Sequence, residues 1–274
     1  MIDREIIKRA IAEDLAGGED ITSVATVSES SQIIADFVAR KSGVIAGIEM
    51  AQGVLEEVGL SDIKLFVHDG ENVSAGKVLL TVRGDTRAIL LAERTALNFL
   101  GHLSGIATLT RTWVDAIEGS SCKIRDTRKT TPGMRLLEKA AVVAGGGTNH
   151  RLSLSDASLI KDNHIAVAGS VTAAFMKVRD KYPNSEIEIE VDTLKQLQEV
   201  LPLKPDLVLL DNMSVEECKQ AVAISNGATK LEASGGLSIE NAKAYAMTGV
   251  DYLAVGALTH SAPNFDIGLD FREG

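Results

Sequence analysis

The spacing of hydrophobic and polar positions changes along the chain and predicts two architectures in series. Residues 3–15 place apolar side chains at helical spacing between acids and bases, which predicts an amphipathic helix. Strand-like runs follow, separated by turns such as HDGENVSAG and VRGD, at residues 31–40, 43–47, 63–68 and 77–82. Such turns suit antiparallel pairing, so the N-terminal part predicts an α+β sandwich instead of a parallel sheet.

A long helical pattern comes next and extends from about Asp85 to Ile117. Ser104 and Gly105 interrupt this pattern with two weak helix formers, and we predict a break there that ends the first domain. The predicted domains are residues 1–105, joined by the C-terminal tail 262–274, and residues 106–261.

From Cys122 onward an apolar strand, a polar loop and an amphipathic helix recur in turn. The predicted strands are CKIRDT, ASLIK, EIEIEV, LVLLD, TKLEA and DYLAVG. The helices between them begin near Gly133, Ser170, Leu194, Val215 and Ile239. This alternation indicates a parallel sheet closing toward a barrel. Six units are visible instead of eight, so the predicted class is α/β, with an incomplete (β/α) barrel after the sandwich.

Composition excludes several classes of function. The 274 residues are 45% hydrophobic and carry a net charge of -10. No basic stripe is available to bind nucleic-acid phosphates, which favours small ligands. Cys122 and Cys218 lack metal-ligand spacing and are predicted to be reduced, packed thiols. The first residues resemble neither a signal peptide nor a membrane anchor, so we expect a cytoplasmic protein.

Polar residues or glycines follow nearly every predicted barrel strand. In α/β barrels the carboxyl ends of the strands form one rim, where loops bring residues of different strands together. We therefore predict one functional site at this rim. Its members, in chain order, are Arg128, Lys129, Lys161, Glu190, Asp211, Ser234 and Gly256.

The cations of this rim come from RDTRKTTPG, GGGTNHR and LIKDNH. They are Arg125, Arg128, Lys129, His150, Arg151 and Lys161. Cations concentrated in an acidic protein favour an anionic ligand, because short-range fields outweigh the screened net charge. Guanidinium groups bind planar carboxylates and phosphates through paired hydrogen bonds, so several arginines suit a ligand with more than one carboxylate.

Glu190 and Asp211 end neighbouring predicted strands and are expected to face the same cavity. Two carboxylates among cations suggest Mg²⁺ held together with a pyrophosphate, although ion pairing with Lys129 and Lys161 is the alternative. The segments EASGGLS and VGALTHS end the last two strands with small residues. Such turns let backbone amides approach a phosphate closely.

In order and spacing, these segments resemble the quinolinate phosphoribosyltransferase family. The resemblance rests on RDTRKTTPGMRLLEKAAVVAGGGTNHR, LIKDNH, EIEVDT, LLDNM, EASGGL and VGALTHS, and extends to EDIT, ERTALN and the closing LDF. It implies an open α+β sandwich followed by a barrel of about six or seven strands. It also implies transfer of phosphoribosyl from phosphoribosyl pyrophosphate to quinolinate with decarboxylation, which yields nicotinate mononucleotide, pyrophosphate and CO₂ for NAD biosynthesis.

The resemblance implies a role for each matching residue, in a homodimer that needs Mg²⁺ and no organic cofactor. Arg94 would enter the site from the neighbouring subunit, and Lys129 would lie between the two substrates as a catalytic residue. The dicarboxylate would contact Thr127, Arg128, His150, Arg151 and Lys161. Glu190 and Asp211 would act in catalysis by binding the ribose and its Mg²⁺. The phosphate would contact Ser234, Gly235, Gly236, Gly256 and Ala257.

Three alternatives remain open at this point. One is a non-decarboxylating pyridine phosphoribosyltransferase, or the related protein associated with molybdate transport. Another is a barrel lyase that forms a Schiff base through Lys161. The third is a carrier role for residues 63–83, although no lysine lies at the tip of that predicted hairpin.

Overall fold

The structure is a computed structural model that describes residues 2–272. Its chain divides into two compact units. The first contains the residues up to Arg111, Thr131–Gly146 and the residues from Ser261 onward. The second contains Thr112–Thr130 and Gly147–His260. None of the helices within residues 2–272 combines the length and apolar character that a membrane crossing requires.

An antiparallel sheet forms the centre of the first unit. Its strands are β1 (Gln32–Ala39), β3 (Asp62–Leu65), β5 (Val78–Asp85) and β12 (Ile267–Phe271). They lie in the order β12, β1, β5 and β3. Along β1, Ala35, Phe37 and Ala39 are buried at every second position, as expected for a strand with one face on a core. A separate two-stranded sheet pairs β2 (Gly43–Val44) with β4 (Asn72–Val73).

Five helices are associated with the first unit, and the first two begin at aspartates that satisfy free backbone N–H groups. They are α1 (Arg4–Leu15), α2 (Ile21–Thr26), α3 (Ile48–Glu57), α4 (Thr86–Ala116) and α5 (Arg135–Ala144). The Asp3 carboxylate caps α1 by accepting a hydrogen bond from the Ile6 backbone. In the EDIT segment, Asp20 caps α2 in the same way through Thr22 and Ser23.

A six-stranded parallel sheet forms the second unit. Its strands are β6 (Lys123–Arg125), β7 (Ser158–Ile160), β8 (Ile187–Val191), β9 (Leu207–Asp211), β10 (Lys230–Ser234) and β11 (Tyr252–Ala254). They lie in the order β6, β11, β10, β9, β8 and β7. Every residue of β8 is buried, which agrees with a parallel sheet covered on both faces.

Helices follow the strands of the second unit. They are α6 (Asp162–Ala168), α7 (Val171–Lys181), α8 (Leu194–Val200), α9 (Val215–Ser225), α10 (Ile239–Ala246) and α11 (Ala257–His260), with a 3-10 turn at Leu201–Leu203. Thr193 and Ser214 cap α8 and α9 in reciprocal capping boxes. The helices therefore begin close to the carboxyl ends of the strands before them, which positions the strand-end residues for the site.

The predicted fold class is confirmed, with six strands in the incomplete barrel. The domain ranges 1–105 with 262–274, and 106–261, stay a prediction. The compact units assign Thr131–Gly146, which includes α5, to the first unit.

The predicted break at Ser104 and Gly105 is wrong, because α4 continues through both residues. The Ser104 hydroxyl forms hydrogen bonds with the backbone of Ala46, accepting from its N–H and donating to its carbonyl. A Cβ on Gly105 would clash with the Pro263 carbonyl oxygen. The glycine is therefore explained by close approach of the backbone around Pro263, and not by the end of a helix.

We predict that Gly105→Ala destabilises the protein although alanine is the better helix former. The added methyl group would be forced against Pro263, and overpacking of this kind costs about 1–3 kcal/mol in the free energy of unfolding. Chemical denaturation measures this change. Asn98→Ala, at an exposed position of the same helix, is the control and should leave stability unchanged or slightly raised. A Gly105→Ala variant as stable as the wild type would contradict the packing argument.

Candidate active site

A cavity of about 500 Å³ opens at the carboxyl ends of the parallel strands in the second unit. It lies where an α/β barrel places its chemistry. Thirteen of the fourteen predicted site residues line it. They are Thr127, Arg128, Lys129, His150, Arg151, Lys161, Glu190, Asp211, Ser234, Gly235, Gly236, Gly256 and Ala257. The roles of these residues stay predictions, but the sequence correctly predicted that they lie together.

The fourteenth predicted residue, Arg94, lies on α4 in the first unit, where its side chain is exposed. It is not among the residues that line the cavity. Its proposed role therefore depends on a neighbouring subunit.

One wall of the cavity carries arginines whose donors are not fully used. Arg151 donates one hydrogen bond from Nη1 to the Ala157 carbonyl, at 2.9 Å. Within residues 2–272, the buried Nε atoms of Arg128 and Arg151 have no hydrogen-bond partner. Burial, followed by repulsion from Arg128, lowers the pKa of the Arg151 guanidinium below its ordinary value. An anion that accepts hydrogen bonds from both guanidinium groups would offset their mutual repulsion.

The same cavity also carries acids. Glu190 lies near the end of β8 and Asp211 ends β9, the neighbouring strand. Their carboxylate oxygens and one from Asp192 lie within 4.8 Å of one another. This set of hard oxygen donors suits Mg²⁺. The predicted alternative also holds in part, because Lys161 Nζ lies 3.2 Å from Glu190 Oε2.

Two consecutive glycines after β10 line the cavity with their backbone. Gly235 and Gly236 have φ angles of +85° and +63°, a conformation that favours glycine. A Cβ on Gly235 would also clash with the Asn212 side chain. The turn therefore suits close approach of its backbone to a ligand.

Lys129 is held over a second glycine. A Cβ on Gly256 would lie 3.0 Å from Lys129 Cδ, so the lysine side chain occupies the space that glycine leaves. The Thr259 hydroxyl donates a hydrogen bond to the Lys129 carbonyl at 2.8 Å. His260, which the sequence reasoning missed, also lines this part of the cavity. His260 lies in VGALTHS, one helical turn after Gly256, and this spacing could have predicted that it faces the same cavity.

Next to the arginines lies a buried group of ionisable side chains. It consists of Glu188 on β8, Glu232 on β10 and His150, which are 5%, 0% and 7% exposed. The sequence reasoning predicted His150 as a site residue but missed both glutamates. Burial raises the pKa of the Glu188 carboxyl and of the Glu232 carboxyl to about 7. Arg125, predicted among the cations of the rim, instead donates from Nη1 to Glu232 Oε2 at 3.0 Å.

The hydrogen bonds of His150 fix the position of its ring proton. The Arg151 backbone N–H donates to His150 Nδ1 at 2.8 Å, so Nδ1 is the acceptor nitrogen. His150 Nε2 then carries the proton and faces Glu188 Oε2 at 2.7 Å. His150, Glu188 and Glu232 are close enough to form a metal site, but this tautomer leaves no lone pair on Nε2 for a metal.

Comparisons with known proteins agree with this geometry. Residues 20–104 match the family model "Quinolinate phosphoribosyl transferase, N-terminal domain", and residues 106–270 match the corresponding C-terminal domain. A Mycobacterium leprae protein named "Nicotinate-nucleotide pyrophosphorylase [carboxylating]" is 52% identical, over 97% of this chain and 96% of its own length.

Solved structures with the same description are also similar. The nicotinate-nucleotide pyrophosphorylase of Francisella tularensis matches with a TM-score of 0.94 and 38% identity, over 98% of this chain and 95% of that one. The Ehrlichia chaffeensis protein matches with a TM-score of 0.92 and 41% identity, over 98% of each chain.

Proposed function

The chain belongs to the quinolinate phosphoribosyltransferase family, and we propose that it transfers phosphoribosyl from phosphoribosyl pyrophosphate to quinolinate with decarboxylation. The products are nicotinate mononucleotide, pyrophosphate and CO₂. The observation that carries this proposal is the pair of buried, unpartnered Nε donors on Arg128 and Arg151 in one cavity. Quinolinate brings two carboxylates on adjacent ring carbons, and such a ligand can satisfy both arginines at once.

The first chemical step breaks the bond between C1 of the ribose and pyrophosphate. Positive charge develops on the sugar and negative charge on the leaving group, so fixed charges of both signs are needed. Lys129 would stabilise the leaving group, while Glu190 and Asp211 would stabilise the ribosyl centre. The arginines would hold quinolinate with its ring nitrogen directed at C1, which converts an encounter into a reactive geometry.

Glu190 and Asp211 would also hold Mg²⁺ together with the pyrophosphate group, and their neighbouring carboxylates fit that ion. Bound Mg²⁺ neutralises charge on the phosphate oxygens. The Ser234–Gly236 turn and Gly256 would hold the 5-phosphate through backbone N–H groups.

The second step follows from the first. Ribosylation makes the ring nitrogen positive, and the 2-carboxylate leaves as CO₂ because its electron pair remains beside that charge. A proton then replaces the carboxylate on the ring carbon. This chemistry requires no organic cofactor.

Two alternatives are less well supported by the cavity. A non-decarboxylating relative that binds one carboxylate would leave one of the two arginines unpartnered. A lyase would use Lys161 as a neutral nucleophile, yet Lys161 lies 3.2 Å from Glu190 in an ion pair that suits a cationic binding residue.

We also propose a homodimer in which Arg94 completes the neighbouring subunit's site, within the cytoplasm. Arg94 is exposed and is therefore accessible to a second copy. In the second unit, Leu154 and Val167 are 72% and 90% exposed, and apolar side chains of this size are often covered in an oligomer.

The function is tested by incubating the purified protein with quinolinate, phosphoribosyl pyrophosphate and Mg²⁺. Nicotinate mononucleotide and CO₂ should appear in equal amounts, and Lys129→Ala should abolish most of their formation. Replacing quinolinate with nicotinate should give little product. A wild-type protein that uses nicotinate as well as quinolinate would favour the non-decarboxylating alternative.

We predict that Arg151→Ala and Lys161→Ala weaken quinolinate binding more than phosphoribosyl pyrophosphate binding. Each change removes a charged contact to a carboxylate, worth about 1–3 kcal/mol of binding free energy. Isothermal titration of each substrate separately measures the two effects. Lys219→Ala, which removes an exposed lysine of α9, is the control and should change neither affinity. Equal losses for both substrates would contradict the division of the cavity into two subsites.

We predict that two inactive variants restore activity when they share a dimer. Co-expression of Arg94→Ala with Lys129→Ala should give about a quarter of the wild-type activity, because half of the dimers are hybrids and each hybrid has one intact site. Differently tagged subunits allow the hybrid to be isolated and assayed. An inactive hybrid would show that Arg94 and Lys129 do not belong to sites shared between subunits.

A further inference from the structure

The buried group of Glu188, Glu232 and His150 contains more hydrogen-bond acceptors than its own donors satisfy. Glu188 and Glu232 each direct one carboxylate oxygen to His150 or Arg125. Within residues 2–272, their other oxygens, both Oε1, have no hydrogen-bond partner. Burying an ionisable group is costly unless it is paired, so two such glutamates side by side need an explanation beyond packing.

A chain of hydrogen bonds leads from Glu188 to the backbone of Arg151. Glu188 Oε2 accepts from His150 Nε2 at 2.7 Å, and His150 Nδ1 accepts from the Arg151 backbone N–H at 2.8 Å. The His150 backbone N–H donates to Asp126 Oδ1, also at 2.7 Å. The His150 ring, with its proton fixed on Nε2, therefore connects the Glu188 carboxylate to the backbone of Arg151.

A second set of contacts leads from Glu232 to the residue before His150. Arg125 donates from Nη1 to Glu232 Oε2, and from Nε to the Asn149 carbonyl at 3.3 Å. The Arg125 guanidinium also lies over the Tyr252 ring, 4.5 Å from its centroid. Glu232 thus orients the arginine that holds the backbone at Asn149.

The segment held by these contacts takes the place of another strand beside β6. Thr148 forms a parallel bridge with Arg125, and its N–H donates to the Ile124 carbonyl. Backbone pairing with β6 ends after Thr148, and residues 149–151 are held instead by hydrogen bonds that involve side chains. A loop without strand partners has more freedom than a strand, so it requires other contacts to keep a side chain in place.

We infer that Glu188 and Glu232 are positioning residues for the dicarboxylate subsite, which act through His150 and Arg125 to hold residues 149–151 so that the Arg151 guanidinium faces the cavity. This inference rests on the proposed function for the identity of the ligand. It assigns His150 a role through its ring hydrogen bonds, in addition to its place in the cavity wall. Glu188 does not line the cavity, and Glu232, which borders it, is fully buried and acts through Arg125.

Removal of the Glu188 carboxylate should weaken one subsite selectively. In Glu188→Ala the His150 ring loses its acceptor, so the affinity for quinolinate should fall about tenfold or more. The KM for phosphoribosyl pyrophosphate should stay within about twofold, since neither His150 nor Arg151 is among its proposed contacts. Glu188→Gln keeps an oxygen acceptor for His150 Nε2 and should restore most of the quinolinate affinity.

The control is Glu186→Gln, which removes an exposed carboxylate two residues earlier in the chain. It should change the affinity for neither substrate. Quinolinate binding is measured by isothermal titration without the second substrate, both KM values and kcat by steady-state kinetics, and folding by thermal unfolding. A merely structural role for Glu188 would lower Tm and kcat and leave the quinolinate affinity of the folded protein unchanged. That result would overturn the inference. So would equal losses of affinity for both substrates, or a Glu188→Gln variant that binds quinolinate as weakly as Glu188→Ala does.

Failure of the proposed function gives a different result from failure of this inference. A wild-type protein that neither binds nor converts quinolinate overturns the proposed function and the inference that rests on it. A wild-type protein that converts quinolinate, with glutamate variants that bind it normally, overturns the inference alone.

The tautomer of His150 provides an independent test. In nitrogen-15 spectra of the histidine rings at neutral pH, Nε2 of His150 should carry the proton and Nδ1 should not. The signal is assigned by its loss in His150→Gln. A proton on Nδ1 would contradict the hydrogen-bond chain from Glu188 to Arg151.

Discussion

Burial of charge beneath the cavity is the constraint on which the rest of the site depends. A parallel sheet brings the carboxyl ends of its strands to one edge, and here that edge gathers several cations, of which Arg128 and Arg151 repel each other. Repulsion at short range is strong where water is excluded. The Glu188 carboxyl attracts Arg125, Arg151 and Lys161 and accepts a hydrogen bond from His150, and Glu232 binds Arg125.

The remaining parts of the cavity fit around that arrangement. Within residues 2–272, the buried Nε atoms of Arg128 and Arg151 have no partner, and the carboxylates of Glu190 and Asp211 lie close together in the same cavity. The missing side chains of Gly235 and Gly256 leave room for Asn212 and Lys129. Groups of opposite charge in one cavity are what a reaction needs when it joins an anionic ring to a sugar and releases pyrophosphate.

Strand ends were predictable from the sequence, and the residues inside the strands were not. Asp211 follows an uninterrupted apolar run, so its position at the end of a buried strand could be inferred. Glu188 alternates with isoleucines in EIEIEV and looks like the solvent side of a half-buried strand. A parallel sheet covered on both faces leaves no such side, and that argument would have placed Glu188 in the barrel interior. The error at Gly105 arose because its contact, Pro263, lies far away in the sequence.

We propose that the arginines of the cavity bind two carboxylates on one ring. The decisive measurement compares the affinities of quinolinate and nicotinate by isothermal titration, with no second substrate present. We expect quinolinate to bind at least about tenfold more tightly, because nicotinate leaves one charged contact unmade. Equal affinities would contradict the account, since they would mean that the second carboxylate meets no cation.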